Sequence, residues 1–222
     1  MGCDIHIEVE VKQADGSWEH IINKWGRTHS WFNGVYEGRN YELFAILADV
    51  RNRFNVSPIA PTKGLPPDVS KGVKALTGGY CYDGHSYSYY TLKELLEYDW
   101  QQKVTLFGFV NASTFYSWWK WDKKWRRKPQ THCQGLGSGY TVISVKEMMR
   151  KLKKVEDEYP EDTPPEILEI VKRRKKLNKY YCQIKWVLKY SQTCSRFWDT
   201  TIPQLLALGN PEDVRIVFWF DN

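Results

Sequence analysis

The stretch Asp4-Ile-His-Ile-Glu-Val-Glu-Val-Lys12 decides the fold, because Ile5, Ile7, Val9 and Val11 alternate with Asp4, His6, Glu8, Glu10 and Lys12. A period of two is the signature of a half-buried β-strand, so the aliphatic row points into a core while Asp4, His6 and Glu8 share the other face. Asp15-Gly16 then turns the chain, and Trp18 with Ile21 and Ile22 predicts the returning strand of a hairpin. At the far end, Val214 to Phe220 predicts a strand that closes the sheet. Strands at both ends with helical patterns between them predict an α+β fold with a mixed or antiparallel sheet.

Working inward, Asn40 is a suitable N-cap for a short helix whose apolar positions are Leu43, Phe44, Leu47 and Val50. The proline- and glycine-containing stretch from 52 to 84 reads as a long irregular excursion. Thr91-Leu-Lys-Glu94 is a capping box that opens a helix reaching about Tyr98, and Val104 to Val110 is apolar enough for a strand. The segment from Tyr116 to Lys128 interleaves Trp118, Trp119, Trp121 and Trp125 with basic residues, and its pattern assigns no secondary structure. A second capping box, Ser144-Val-Lys-Glu147, predicts a helix to about Val155. Beyond an acidic linker at 156–165, the spacing of Ile167, Ile170, Val171, Leu177, Tyr181, Ile184, Val187 and Leu188 predicts a long helix to about Tyr190. A shorter helix over Ile202 to Leu208 ends at Gly209. The expected organisation is an α+β core over 1–112 and 196–222. Residues 113–195 form an aromatic, basic segment and helical annex within one compact domain.

Composition narrows the function classes. No apolar run approaches the roughly 18 residues of a membrane span, and the N-terminus lacks the basic and apolar regions of a signal peptide, so a cytoplasmic protein is expected. The five cysteines are scattered without a C-x-x-C pair, which fits a reducing compartment. The net charge of +6 favours anionic partners but falls short of the footprint of a duplex-DNA binder, leaving a small phosphorylated ligand at least as consistent. Eleven Trp and fourteen Tyr supply rings that build cores and also stack on nucleobases. Homo-oligomers are left open.

Two constellations can carry chemistry. Asp4-x-His6-x-Glu8 can be an acid–base site with a carboxylate orienting an imidazole, part of a metal site, or a solvated strand face. Asp83-Gly-His85-Ser-Tyr-Ser88 sets a histidine and two hydroxyls shortly before a capped helix, where amides and serines can receive phosphate, or where the serines merely stabilise a turn. Arg39, Arg51 and Arg215 are further anion-binding candidates, or surface ion-pair partners. Ser86 lacks a nucleophile-elbow context, and Gly135-Leu-Gly-Ser-Gly139 lacks the spacing of a P-loop. His6 stands where a myristoylation signal needs Ser or Thr.

Taken together, Met1-Gly-Cys-Asp-Ile-His6, the segment Arg39 to Arg51, Gly64-Leu-Pro with Asp68, Asp83 to Ser88 and Phe220-Asp-Asn222 resemble a family of short phage-encoded proteins beginning MGCDIH. The region from about Gly108 to Gly209 has no counterpart in that resemblance. The resemblance implies a phage origin and supplies no established activity. In size, origin and aromatic-basic character the chain is also similar to phage counter-defence proteins that cleave or sequester the cyclic nucleotide signals of bacterial immunity.

The expectation that follows is a phosphodiesterase-type enzyme acting on a cyclic mono- or dinucleotide. His6 and His85 act as acid and base, Asp4 orients His6, Ser86 and Ser88 hold the phosphate, and Arg51 offsets charge developing on phosphorus. No cofactor is required by that mechanism. The alternatives are a non-catalytic sponge for the same ligand, a hydrolase whose divalent metal is held by Asp4, His6, His85 and Asp221, and a direct inhibitor of a host protein anchored by Trp118 to Trp125.

Overall fold

Val214–Asp221 contains Val, Ile, Phe and Trp at almost every position, a composition for a strand buried on both faces. In the computed structural model, which describes residues 2–22, 35, 36, 38–79, 83–122, 127–158 and 171–222, that strand is interior to its sheet. The chain forms two compact units, Met1–Gln102 with Lys189–Asn222, and Lys103–Leu188.

In the first unit, β1 (Asp4–Lys12), β2 (Trp18–His20), β3 (His85–Thr91) and β7 (Val214–Asp221) form an antiparallel sheet in the order β2-β1-β7-β3. The β1–β2 turn is held by Asp15, whose carboxylate accepts from the Ser17 amide and hydroxyl, with Gly16 in the left-handed region that the turn requires. α1 (Tyr41–Ala48) is capped by Asn40, whose side-chain oxygen accepts from the Leu43 amide. Leu43, Phe44, Ile46 and Leu47 are fully buried, and Phe44 packs edge-on against Phe220. The capping box of Thr91 and Glu94 opens α3 (Leu92–Glu97) as predicted.

The other sheet face is not the solvated face that alternation suggests. Glu10 and Arg215 oppose each other across β1 and β7 and are buried to 0% and 3% exposure. Arg215 Nε donates to Glu10 Oε2 at 2.6 Å, and Nη1 donates to Asp68 Oδ1 at 2.8 Å. The Trp18 ring lies 3.9 Å below the guanidinium, and the second Glu10 oxygen accepts from the Ser70 amide at 2.7 Å. Asp68 and Ser70 belong to the excursion read as irregular. That excursion contains α2 (Lys71–Gly78), capped by Ser70, and Gly72 meets the ring of His20 where a Cβ would stand 2.8 Å from Nδ1. The helix was illegible because Gly72 and Gly78 depress its propensity, while its close approach to β2 needs a glycine there.

In the second unit, β4 (Lys103–Asn111), β5 (Thr141–Val142) and β6 (Tyr180–Lys189) form a mixed sheet in the order β4-β6-β5. With it are α4 (Ala112–Ser117), a π-helical turn at Trp118–Asp122, and α5 (Val145–Glu158). The units part at 102/103 and 188/189, where β4 enters and β6 leaves the second sheet. The long helix to Tyr190 is corrected: residues 171–176 are helical, a 3-10 turn follows at Leu177–Lys179, and β6 begins at Tyr180. Cys182, Ile184 and Trp186 are buried while Gln183 and Lys185 are exposed, a period of two that also satisfies a helical template over so short a run. Tyr, Ile, Trp and Val decide for the strand. The annex is thus α+β rather than helical. Its predicted linker and the start of that helix fall largely outside the described residues.

Because Glu10 is buried, Arg215→Met should destabilise the fold by about 3–5 kcal/mol in urea unfolding. Glu10→Met together with Arg215→Met should recover a large part of that loss. Equal losses in the single and double variants would show that the arginine acts by packing alone.

Candidate functional site

The predicted site residues gather at one end of the first sheet, where β1 and β3 begin and β7 ends, but on two different faces. Register fixes the parity: His6 opposes Trp219, whereas His85 opposes Phe220. Neighbours on an extended strand point to opposite faces, so the sheet lies between the two histidines. Ring contacts agree, with His6 stacked on Trp219 at 5.3 Å and His85 stacked on Phe220 at 5.9 Å. The expected His6–His85 acid–base pair on a common phosphate is therefore corrected.

The first face carries Asp4, His6, Trp219, Asp221 and Tyr87. His6 Nε2 lies 3.3 Å from Asp221 Oδ2, an ion pair when the imidazole is protonated. Asp4 does not orient His6. Both its oxygens accept from Arg39, through Nε at 2.8 Å and through Nη2, and this hydrogen-bonded guanidinium holds the Asp4 carboxyl below its usual range. Arg39 is thereby used within the fold. Tyr87 stacks on the far side of Trp219, completing a His6–Trp219–Tyr87 row across three strands.

The second face carries His85, Ser86, Arg51, Cys3 and Asn222. Between His85 and Ser88 the β3 register gains one residue, a bulge in which Ser86 has φ +52° and its hydroxyl lies 3.0 Å from His85 Nδ1. Arg51 is exposed and also left-handed, at φ +55°, an uncommon conformation for a long side chain. The turn that imposes it is locked by Asn52, whose amide donates to Asp49 Oδ1 and the Val56 carbonyl while its oxygen accepts from the Val56 amide. Arg51 Nη2 donates to Asn222 Oδ1 at 3.0 Å. Arg51 thus reaches the residue that follows β7, while His85 stacks on Phe220 within it. Burial raises the Cys3 thiol above its ordinary range, against the lowering effect of the nearby Arg51 guanidinium.

Two predicted ligands have other duties. Ser88 is fully buried and its hydroxyl accepts from the Lys63 amide, and Arg215 is held by Glu10 and Asp68. The phosphate seat at a helix N-terminus is also corrected, since β3 intervenes and Thr91 and Glu94 already satisfy the start of α3. The proposed metal set is broken up by His85 on the far face and by Asp4 in the grip of Arg39. Among the described residues no group of three His, Cys, Asp or Glu side chains converges as a metal site. Trp118 is buried with its N–H donating to the Arg127 carbonyl, so it is not an exposed anchor.

The Asp4 pairing makes a signed pH prediction. A carboxyl depressed on folding contributes stability that is present above its ordinary value of 3.8 and lost as pH falls through the lower folded value. The stability difference between the wild type and Asp4→Asn should therefore be steady near neutrality and shrink below about pH 4. Thermal unfolding of both across that range reads it, and a difference that grows with acid would contradict the pairing. Compared with protein-family models, curated proteins and solved structures, the chain matches none.

Proposed function

We propose that this is a phage-encoded protein that sequesters a small phosphorylated, nucleotide-type signal in the host cytoplasm, with Arg51 as its principal anion contact. The observation that carries this reading is the Arg51 backbone. A left-handed arginine costs about 1–3 kcal/mol, and such strain persists where surrounding structure enforces it, as at ligand clamps. Here the Asn52 lock enforces it, and the result is an exposed guanidinium at the end of the sheet. Ser86 on the same face supplies a further polar contact to a phosphate, its hydroxyl positioned 3.0 Å from His85 Nδ1, and the partly open His85 ring offers a surface for a base. Parity supports holding over cutting. Cleavage by paired histidines needs an acid and a base on one phosphodiester, and these two are divided by the sheet.

A second reading is favoured by His6 and Asp221 at 3.3 Å. A carboxylate-flanked imidazole can act alone as a general base, taking the proton of a ribose 2′-OH whose oxygen then attacks the adjacent phosphorus. The P–O5′ bond breaks, a 2′,3′-cyclic phosphate forms, and the leaving oxygen takes its proton from water. That reading makes the protein a phosphodiesterase of cyclic nucleotide signals.

One experiment separates the two. The protein is incubated with a panel of cyclic mono- and dinucleotides, heat-denatured, and the supernatant chromatographed. Intact ligand released from a saturable complex is expected, with Arg51→Ala weakening binding roughly ten- to a hundredfold. Products that disappear in His6→Gln would establish the hydrolase instead. Neither binding nor products with any member of the panel would overturn the nucleotide assignment.

A further inference from the structure

Charge is distributed unevenly between the two units. Residues 103–188 hold 19 Lys and Arg against nine Asp and Glu, a formal +10, whereas the rest of the chain holds 13 against 17, a formal −4. The modest net charge of the whole chain conceals a strongly basic second unit.

Within that unit β6 has an open edge. β5 pairs with it only at Thr141–Tyr180 and Val142–Tyr181, and the chain then leaves into α5. The Ile143 amide donates to the Tyr181 carbonyl, so Tyr181 directs its backbone groups toward the β5 side. By alternation Gln183, Lys185 and Val187 direct their N–H and C=O groups to the same side, and no strand pairs with them there among the described residues. A cavity of about 460 Å³ runs beside them, lined by all five consecutive residues 183–187 together with Trp118, Trp119, Val145 and Thr105 of β4. A cavity over one sheet face would be lined by alternate residues. Contact with five in succession brings it to the strand edge, while Thr105 extends it over the adjoining face toward β4.

We propose that this edge receives an extended, acidic peptide segment of a partner protein as an added β-strand. Backbone groups of 183, 185 and 187 would pair with the incoming strand. Apolar side chains of alternate peptide residues would enter the cavity against the tryptophans, and its acidic residues would meet Lys185 and the surrounding basic field. A second copy of this chain fits poorly, because β6 beside β6 would set Lys185 against its own counterpart and join two units of charge +10. A single-stranded nucleic acid would suit the charge and the rings but leave the strand's amides unpaired.

The test uses the full chain and a short blocked peptide alternating Glu and Val, followed by fluorescence anisotropy and by residue-resolved hydrogen exchange. The peptide should bind and slow exchange at the Gln183, Lys185 and Val187 amides, while a peptide alternating Lys and Val should not bind. Lys185→Glu, which leaves the edge intact, should weaken binding roughly tenfold, and Lys185→Pro should abolish it by removing a ladder donor. Because proline can disturb β6 itself, its circular dichroism is compared with wild type, and the glutamate variant carries the decision. Binding without protection of those amides, unchanged binding by Lys185→Glu, no peptide binding, or preferential capture of oligouridine would each overturn the proposal.

Discussion

The ion pair between Glu10 and Arg215 is the constraint from which the first unit's arrangement follows. Both side chains are buried, and a buried charge is tolerated only against its partner. Sliding β7 by one residue against β1 would turn Arg215 onto the face occupied by Phe44, Phe218 and Phe220 and leave Glu10 facing an aliphatic residue. Aliphatic and aromatic residues along β7 could accept several registers, since nearly all are large and apolar. The charge pair accepts one. It also recruits Asp68 and the Ser70 amide, tying the long excursion and α2 to the sheet.

That register determines the chemistry at the far end of the same strands. Once Glu10 opposes Arg215, His6 must oppose Trp219 and Asp4 must oppose Asp221. His6 then lies 3.3 Å from Asp221 on its own face, while Asp4, at the strand's start, is held by Arg39. A row that looks like a triad along β1 is in fact three separate pairs, Asp4 with Arg39, His6 with Asp221 and Glu8 with His20. The half-buried carboxylate of Glu8 and the buried one of Glu10 are paired with His20 and Arg215, as a low-dielectric environment demands, while Asp4 and Arg39 pair at the half-exposed rim.

What was legible in the sequence was whatever depends on local chemistry. The β1 alternation, the Asp15-Gly16 turn, the Asn40 cap, the Thr91–Glu94 box and the apolar run of β7 each report short-range physics, and each is where it was expected. What escaped depends on long-range partners. Gly72 reads as a helix breaker until His20 is seen against it, and β6 reads as a helix until Cys182, Ile184 and Trp186 find a common buried face. Arg215 resembles an anion site because nothing near it in sequence discloses Glu10, 205 residues away.

The separation of the two histidines turns on one residue. Strict alternation along β3 would set His85 on the face of Tyr87 and Tyr89, and Tyr87 stacks on Trp219, the ring that also carries His6. An unbulged strand would thus have brought both imidazoles to one face. Ser86, at positive φ, inserts the extra residue that turns His85 to the side of Phe220, Ser88 and Arg51. A bulge with a serine in place of glycine carries a conformational cost that a plain turn does not require, and the nearby Arg51 carries another. Both distortions act on the same end of the same face, one by setting the Ser86 hydroxyl against His85 and the other by presenting a guanidinium. On the proposed reading, a ligand that uses both groups accounts for two costs incurred toward one location.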